Sequence, residues 1–255
     1  MEQGKLIALS DAAARLPEGA SLAVGGDRVP MALLRALLWS QKRLGRVYSL
    51  TAGPASLLTR SGRAEALWCA EGGSGGVEVP CLADQFRAAV EGRDYALAES
   101  SQPLLRDHPE TFRRVERLFS GGEAMAAAAL RPDAAILHVH RADTAGNAQL
   151  DPVCPMDRGR DALLARAARL VIVSAEQIVS PEAIRDNAAH TLLFGAEVDW
   201  VVEAPYGSYP QPCPPRYRGD AAAPVDERGA EDWYGCLERV GLARLLALTE
   251  NRRGV

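Results

Sequence analysis

Arg131-Pro132-Asp133-Ala134-Ala135-Ile136-Leu137-His138-Val139-His140-Arg141-Ala142-Asp143-Thr144-Ala145-Gly146-Asn147-Ala148-Gln149 is the stretch whose reading decides the fold. Ala134–Val139 (AAILHV) is apolar almost without a break and is too short for a core helix. Runs of this kind form strands buried on both faces, as in parallel sheets. The strand ends in polar residues, and open parallel sheets place their ligands at the carboxyl ends of their strands. His138 and His140, two residues apart, share one face of the strand, a spacing that a metal can use. The chain has only four histidines, and no Asp, Glu or Cys cluster in the sequence completes a ligand set. The expectation is a structural histidine making one hydrogen bond, and no metal. Asp143 with Gly146-Asn147 reads as a turn.

The flanking segments alternate between strand and helix. Ala20–Val24, Val47–Thr51, Ala66–Ala70, Tyr95–Ala98, Leu170–Ser174 and Val198–Val202 read as strands. Pro30 opens a helix in which Leu33, Leu34, Leu37 and Leu38 recur at helical spacing, with Gly45 as its stop. Residues 82–93 are weakly helical, and Asp161–Arg169 reads as a further helix. Glu123–Leu130 is predicted to be an Ala-rich helix ended by Pro132. Gln102–Ser120 is too polar to assign. Pro205–Pro224, rich in Pro, Tyr and Arg, is expected to be an extended surface segment, and Glu231–Leu248 an amphipathic helix. The alternation predicts an α/β fold, an open, mostly parallel sheet with helices on both faces. No internal repeat or linker divides the 255 residues, so residues 1–255 are expected to form one domain.

Composition narrows the function. Apolar residues are 47% of the chain, enough for a sizeable core, and the formal net charge is −4 with no basic block. The clustered Lys and Arg of a nucleic-acid binder are missing. No run approaches the roughly 20 apolar residues of a membrane span, and the first residues lack the apolar core of a secretory signal. A cytoplasmic protein with no membrane partner is expected. The five cysteines, Cys69, Cys81, Cys154, Cys213 and Cys236, have no zinc spacing and no adjacent base. They read as free thiols in a reducing compartment.

Gly25-Gly26-Asp27-Arg28 follows a strand and precedes a helix. A glycine pair there admits a ligand close to the backbone, and the following helix N-terminus draws anions. A tight strand-to-helix turn needs the same glycines. The pattern is neither GxGxxG nor GxxxxGK[ST], which weakens nicotinamide and P-loop readings. Arg28 and Arg141 suit a carboxylate or a CoA phosphate, or else are solvated arginines at a strand edge. Gly72-Gly73-Ser74-Gly75-Gly76 is a loop that no regular element accommodates.

The run RPDAAILHVHRADTAGNAQ resembles the signature of the A-type chains of family I CoA-transferases, an "RPDvAiiHa" strand followed by "D..GNa". Three further segments stand in that family's order. They are the strand ending at Gly25-Gly26, Ala168–Glu176 (ARLVIVSAE) with Gln177-Ile178-Val179 after it, and Val198–Pro210 (VDWVVEAPYGSYP). The resemblance spans about residues 18–218. It departs where Asp27-Arg28 replaces a Phe after the glycine pair, and where residues 102–123 lack the family's "glPF.P" stretch.

The resemblance implies a three-layer α/β/α chain whose active site is completed by a B-type chain, in an A2B2 complex. It implies a coenzyme A thioester and a carboxylic acid as substrates, with no permanently bound cofactor. The nucleophilic glutamate is expected in the partner chain. This chain would supply substrate contacts and backbone donors for an oxyanion, a role that glycine-rich turns suit. The candidate substrate contacts are Gly25, Gly26, Asp27, Arg28, Gly73, Ser74, Gly75, Ser100, Gln102, His138, Asp143, Gly146 and Asn147. Glu99-Ser100-Ser101-Gln102 falls where oxoacid transferases carry an acidic residue, and where ring-opening acyl-CoA hydrolases are similar in using a glutamate. Glu99 is the one candidate catalytic group, a general base if its apolar neighbours bury it. The alternative for Glu99 is a surface carboxylate at a strand end. Three functions stand: CoA transfer, hydrolysis or C–C cleavage of a cyclic or β-keto acyl-CoA through Glu99, and a non-catalytic scaffold role.

Overall fold

The structure is a computed structural model and describes residues 4–40, 42–51, 53–71, 75–151 and 158–219. The chain begins with β1 (Leu6–Ile7), α1 (Leu9–Ala12), β2 (Leu22–Val24), α2 (Met31–Ser40), β3 (Leu44–Ser49), α3 (Ser56–Arg60) and β4 (Ala64–Cys69). It continues through β5 (Val77–Glu78), α4 (Leu82–Val90), β6 (Tyr95–Ala98), α5 (Gln102–Asp107), β7 (Phe112–Glu116) and β8 (Glu123–Ala128). There follow β9 (Ala134–Val139), β10 (Arg141–Ala142), β11 (Ala148–Gln149), α6 (Arg158–Ala167) and β12 (Val171–Ala175). The last described elements are α7 (Pro181–Asp186), β13 (Thr191–Leu193) and β14 (Trp200–Glu203).

Eight strands form one open sheet in the order β1-β14-β12-β9-β2-β3-β4-β5, every pair parallel. β9 lies between β12 and β2, and all six of its residues are buried. Its side chains alternate between two cores, as strand geometry requires. Ala135, Leu137 and Val139 join Ala23, Val171 and Val173 on one face. Ala134 and Ile136 join Leu22, Val24 and Ile172 on the other. Helices α1, α2 and α3 cover the second face through Ala12, Leu33, Leu34, Leu37, Leu57 and Leu58. Helices α4 and α6 cover the first through Leu82, Phe86, Ala162 and Ala165. Each fully buried Leu or Ile contributes about 1.5–3 kcal/mol by leaving water.

Two aspartates fix the strand starts. Asp133 Oδ2 accepts from the amide (3.0 Å) and hydroxyl (2.7 Å) of Ser21, which sets β9 against β2. Asp199 Oδ2 accepts from the Val171 amide at 2.7 Å, which ties β14 to β12.

Most predicted strands are present with shifted ends. One expectation is overturned: Glu123–Leu130 is not a helix but holds β8, the central strand of a second sheet, β6-β8-β7. Alanine favours a helix in isolation, but pairing on both sides overrides a weak propensity. Gly121 and Gly122, with φ of 67° and 81°, supply the turn that folds β8 back on β7. The unassigned stretch 102–120 contains α5 and β7. Gly45 does not stop α2, which ends at Ser40; it lies in β3, where a Cβ would stand 2.7 Å from the Gly19 carbonyl oxygen. Residues 205–219 are not a surface segment, because Ser208, Tyr209, Cys213 and Tyr217 are all buried. The helix expected at 231–248 lies outside the described residues. No helix among the described residues is long and apolar enough to cross a membrane.

The glycine pair has a steric origin. A Cβ on Gly26 would collide with Thr51 Oγ1 and stand 2.9 Å from Thr51 Cγ2. Gly26→Ala is expected to lower stability by about 1–3 kcal/mol through overpacking, read as a lower urea midpoint. Adding Thr51→Ala should recover much of that loss. A double variant no more stable than Gly26→Ala would refute the steric account.

Candidate functional site

At the carboxyl end of β12 the chain places Glu176, a buried carboxylate. Its oxygens accept from His138 Nε2 (2.8 Å), the Tyr217 hydroxyl (2.6 Å), and the amides of Tyr206 (2.9 Å) and Gly207 (3.1 Å). Burial pushes its pKa up, but the hydrogen bonds from His138, Tyr217 and Tyr206 outweigh burial and hold it below the usual glutamate value. His138 Nδ1 lies 2.9 Å from Ser174 Oγ, so both ring nitrogens have protein partners. The Tyr217 oxygen in turn accepts from the Ser208 amide at 3.0 Å. Burial pushes the Tyr217 hydroxyl well above the ordinary tyrosine value.

This knot fastens residues 205–217 over the strand ends. The Gly207 carbonyl accepts from the Ala32 amide (2.9 Å) at the start of α2, and the Tyr209 carbonyl from Arg35 Nη1 (2.9 Å). Ser208 Oγ donates to the Val29 carbonyl at 2.8 Å. Tyr206 adopts φ 56°, a left-handed conformation that costs a non-glycine residue free energy, and its amide is one of the donors to Glu176. A Cβ on Gly207 would lie 2.6 Å from His138 Cε1, so glycine is needed for the strap to sit this low.

The fold also brings Cys213 to the knot, with donor atoms of His138, Glu176 and Cys213 all within 4.8 Å of one another. No spacing along the chain points to this trio. Burial pushes the Cys213 thiol far up, with the Glu176 charge adding to the shift. The Glu176 oxygens already accept four hydrogen bonds, which account for its part in the trio.

Beside the knot, Arg28 is fully buried, its Nη2 3.2 Å from Asp161 Oδ2 and its Nε donating to the His138 carbonyl at 3.2 Å. Burial pushes the Asp161 carboxyl up, against the pull of Arg28 and the Gly26 and Asp27 amides. Arg28 is neither a substrate clamp at the surface nor a solvated edge arginine. The Gly25 amide donates to the Ile136 carbonyl (2.9 Å) and the Gly26 amide to Asp161 Oδ1 (3.1 Å). These amides are engaged inside the protein, and the half-buried Asp27 sits beside them.

The Asp143 turn is equally closed. Asp143 is fully buried and accepts from the amides of Ala145 (3.0 Å) and Asn147 (2.9 Å) and from Asn147 Nδ2 (2.8 Å). Asn147 Oδ1 accepts from the Gly195 amide at 2.8 Å, and Gly146 has φ 97°. Asp143, Gly146 and Asn147 thus join two loops. Further along, Asp151 holds Arg216 through two contacts (2.8 and 3.1 Å), with Arg141 Nε at 3.5 Å. The Asp151 amide donates to His140 Nδ1 at 2.7 Å. Burial brings His140 down to about 4, which keeps it neutral.

The open part of the molecule lies elsewhere. Glu99 stands with its side chain 97% exposed, 3.3 Å from Arg117 Nη2. The burial that would make it a general base is not there. It lines a cleft of about 500 Å3 with Ser100, Ser101, Leu97, Arg117 and Pro80. Gln102 lies in α5 and accepts from Arg114 Nη2 at 2.7 Å. A second cleft of about 550 Å3, also reaching Pro80, lies past the ends of β3 and β4 against Arg87 and Arg160. Gly75, with φ 81°, is exposed nearby in the chain, while Gly73 and Ser74 lie outside the described residues. The structure thus gathers Glu99 and Ser100 at one cleft. Gly25, Gly26, Arg28, His138, Asp143, Gly146 and Asn147 make hydrogen bonds or close packing inside the protein. Sequence reasoning missed Asp161, Ser174 and Tyr217, which become visible only when distant segments meet.

Residues 113–204 match the family model "Coenzyme A transferase". Over 105 residues, 41% of this chain, the sequence is 32% identical to the A chain of the glutaconate CoA-transferase of Acidaminococcus fermentans. The matched stretch is about a third of the length of the curated relatives. Glutaconate CoA-transferase of the same organism superimposes with a TM-score of 0.82 at 22% identity, covering 96% of this chain and 95% of that one. A variant of the decarboxylase AibA/AibB superimposes with a TM-score of 0.65 at 28% identity, covering 98% of both chains.

Glu176→Gln is expected to cost about 1–3 kcal/mol at pH 7, because a buried acceptor network loses its charge. The depressed pKa adds a pH signature. Its stabilisation is complete above the ordinary value of 4.5 and is lost as pH falls through the folded value. Urea midpoints should therefore fall more steeply below about pH 4.5 in the wild type than in the variant. Parallel acid limbs would show that Glu176 does not hold the knot.

Proposed function

We propose that this chain, which carries a coenzyme A transferase domain over residues 113–204, is one component of a heteromeric enzyme that moves CoA from an acyl-CoA to a carboxylic acid. The whole of residues 1–255 serves as the A-type chain, paired with a B-type chain in an A2B2 complex in the cytoplasm. The observation that carries this reading is the condition of the carboxylates. Glu176, Asp161, Asp143 and Asp151 are each bound by donors or an arginine. Glu99 stands in open water beside Arg117. A carboxylate nucleophile needs a preorganised, enclosed setting, and a glutamate from a second chain supplies it.

In that reaction the partner's carboxylate attacks the thioester carbonyl, forming an acyl–glutamyl anhydride and releasing the CoA thiolate. The thiolate attacks the glutamyl carbonyl, giving a glutamyl–CoA thioester and the free acid. The acceptor acid reverses both steps and leaves as the new acyl-CoA. No cofactor is consumed, and coenzyme A enters only as substrate. The knot around Glu176 keeps the ends of β9 and β12 rigid.

The likeness to a decarboxylase over 98% of the chain favours a second reading, in which the complex cleaves or hydrolyses an acyl-CoA with Glu99 as base. The co-expressed two-chain complex, given acyl-CoA donors with and without free acids, separates the two. Transfer predicts turnover only when an acid is present and a borohydride- or hydroxylamine-sensitive thioester on the partner chain. It also predicts that Glu99→Gln keeps activity within about tenfold. Acid-independent turnover that falls by the ~10²–10⁴ of a lost general base in Glu99→Gln would establish the second reading.

A further inference from the structure

The three-stranded sheet has an outer face on which, among the described residues, Tyr95 and Leu97 are exposed. In the register of β6, β8 and β7, Leu97 stands opposite Ala126, which stands opposite Arg113, and Tyr95 stands opposite Ala128. Cross-strand neighbours share a face. The inner face, Ala96, Phe112, Met125 and Ala127, packs in the core with Trp68, Phe86 and Leu104. The outer face carries Tyr95, Leu97, Ala126, Ala128 and Val115, with Ala124 fully buried among them and Arg113 its one charge. A water-facing antiparallel sheet alternates apolar-in with polar-out; here the outward positions are apolar too.

The β7–β8 hairpin extends the surface. Its tip is ordered by the Arg117 amide donating to the Gly122 carbonyl (2.9 Å) and the Gly121 amide to the Arg117 carbonyl (3.2 Å). The tip holds Leu118 and Phe119 at 92% and 100% exposure, against 49% for Tyr95 and 53% for Leu97. Arg117 lines the same cleft as Leu97, which joins tip to sheet. With the aromatic Phe119 and Tyr95 able to bury about 150–250 Å2 each and the two leucines somewhat less, the exposed parts of these four residues amount to on the order of 500 Å2. That is the larger part of the roughly 800 Å2 per partner of a stable pair.

We propose that this surface, assigned on the premise that the chain is one of two that build the enzyme, is where the second chain docks, closing the Glu99 cleft. The patch borders that cleft, and a cover seated on it excludes the water that an acyl transfer must exclude. A second copy of this chain is the poorer occupant. A two-fold interface sets the patch against itself, but the outer strand face offers Arg113 no acidic residue, and Glu99 already pairs with Arg117. The fitting partner presents an apolar pocket for Phe119 and a carboxylate for Arg113, which makes no ion pair among the described residues.

Sedimentation and titration of the separately purified chains test the assignment, with B-type chain added to wild type, Leu118→Ser/Phe119→Ser, Arg113→Glu, and Trp39→Ser as a control on α2. The double variant is expected to weaken association at least 30-fold and Arg113→Glu at least tenfold, with Trp39→Ser unchanged. Circular dichroism and melting of the isolated variants should match wild type, since neither tip residue packs in the core. A double variant that binds as tightly as wild type would overturn the docking surface and leave the two-chain reading standing. A wild-type chain that binds no B-type chain would overturn both. Self-association of the chain alone that the double variant abolishes would assign the surface to a second copy and overturn the proposal.

Discussion

A single buried carboxylate, Glu176, holds the ends of the central strands in place. Removing a carboxylate from water is prohibitive unless donors replace the water. Here four do, and they come from three separate parts of the chain: His138 on β9, the turn at Tyr206-Gly207, and Tyr217. The carboxylate tolerates burial only when all three have converged, and they are anchored only when it is there. The strain at Tyr206 persists because the amide it aims at Glu176 is worth more than the local conformational penalty. Arg28 and Asp161 repeat the pattern one layer away, and the Arg28 Nε bond to the His138 carbonyl links the two.

The fold was largely legible because burial of both sheet faces leaves a local trace. Ala134–Val139 reads as a strand from composition alone, and its neighbours fall at the spacing of a parallel sheet. The failures have physical causes that are not local. Glu123–Ala128 has the residues of a helix, and only its two strand partners and the Gly121-Gly122 turn make it β8. Residues 205–217 look like a surface segment because Pro, Tyr and Arg are usually exposed. Their polar atoms are satisfied inside the protein by Glu176, Val29 and Asp151, none of them near in sequence.

The site was less legible, because a signature records what is indispensable without saying for what. Asp143, Gly146 and Asn147 look like a loop that meets a ligand. In the fold they form a closed turn whose side chains answer one another and the Gly195 amide. Gly25 and Gly26 look like an anion cradle, but their amides reach Ile136 and Asp161, and Gly26 gives way to Thr51. His138 was expected to make one hydrogen bond and has partners at both nitrogens. These residues fasten the strand ends and their turns to one another.

Rigidity of this kind has a consequence for where chemistry is located. A carboxylate held by four hydrogen bonds in a buried network is less basic and harder to approach than a free one. The groups left open are at the margin, where the small antiparallel sheet places Glu99, Ser100 and Arg117 around an open cleft. An open cleft does not exclude water, and an apolar face beside it does not remain uncovered without cost. The two deficits are complementary. On the proposed assembly, a second chain seated on Leu97, Leu118 and Phe119 removes both at once.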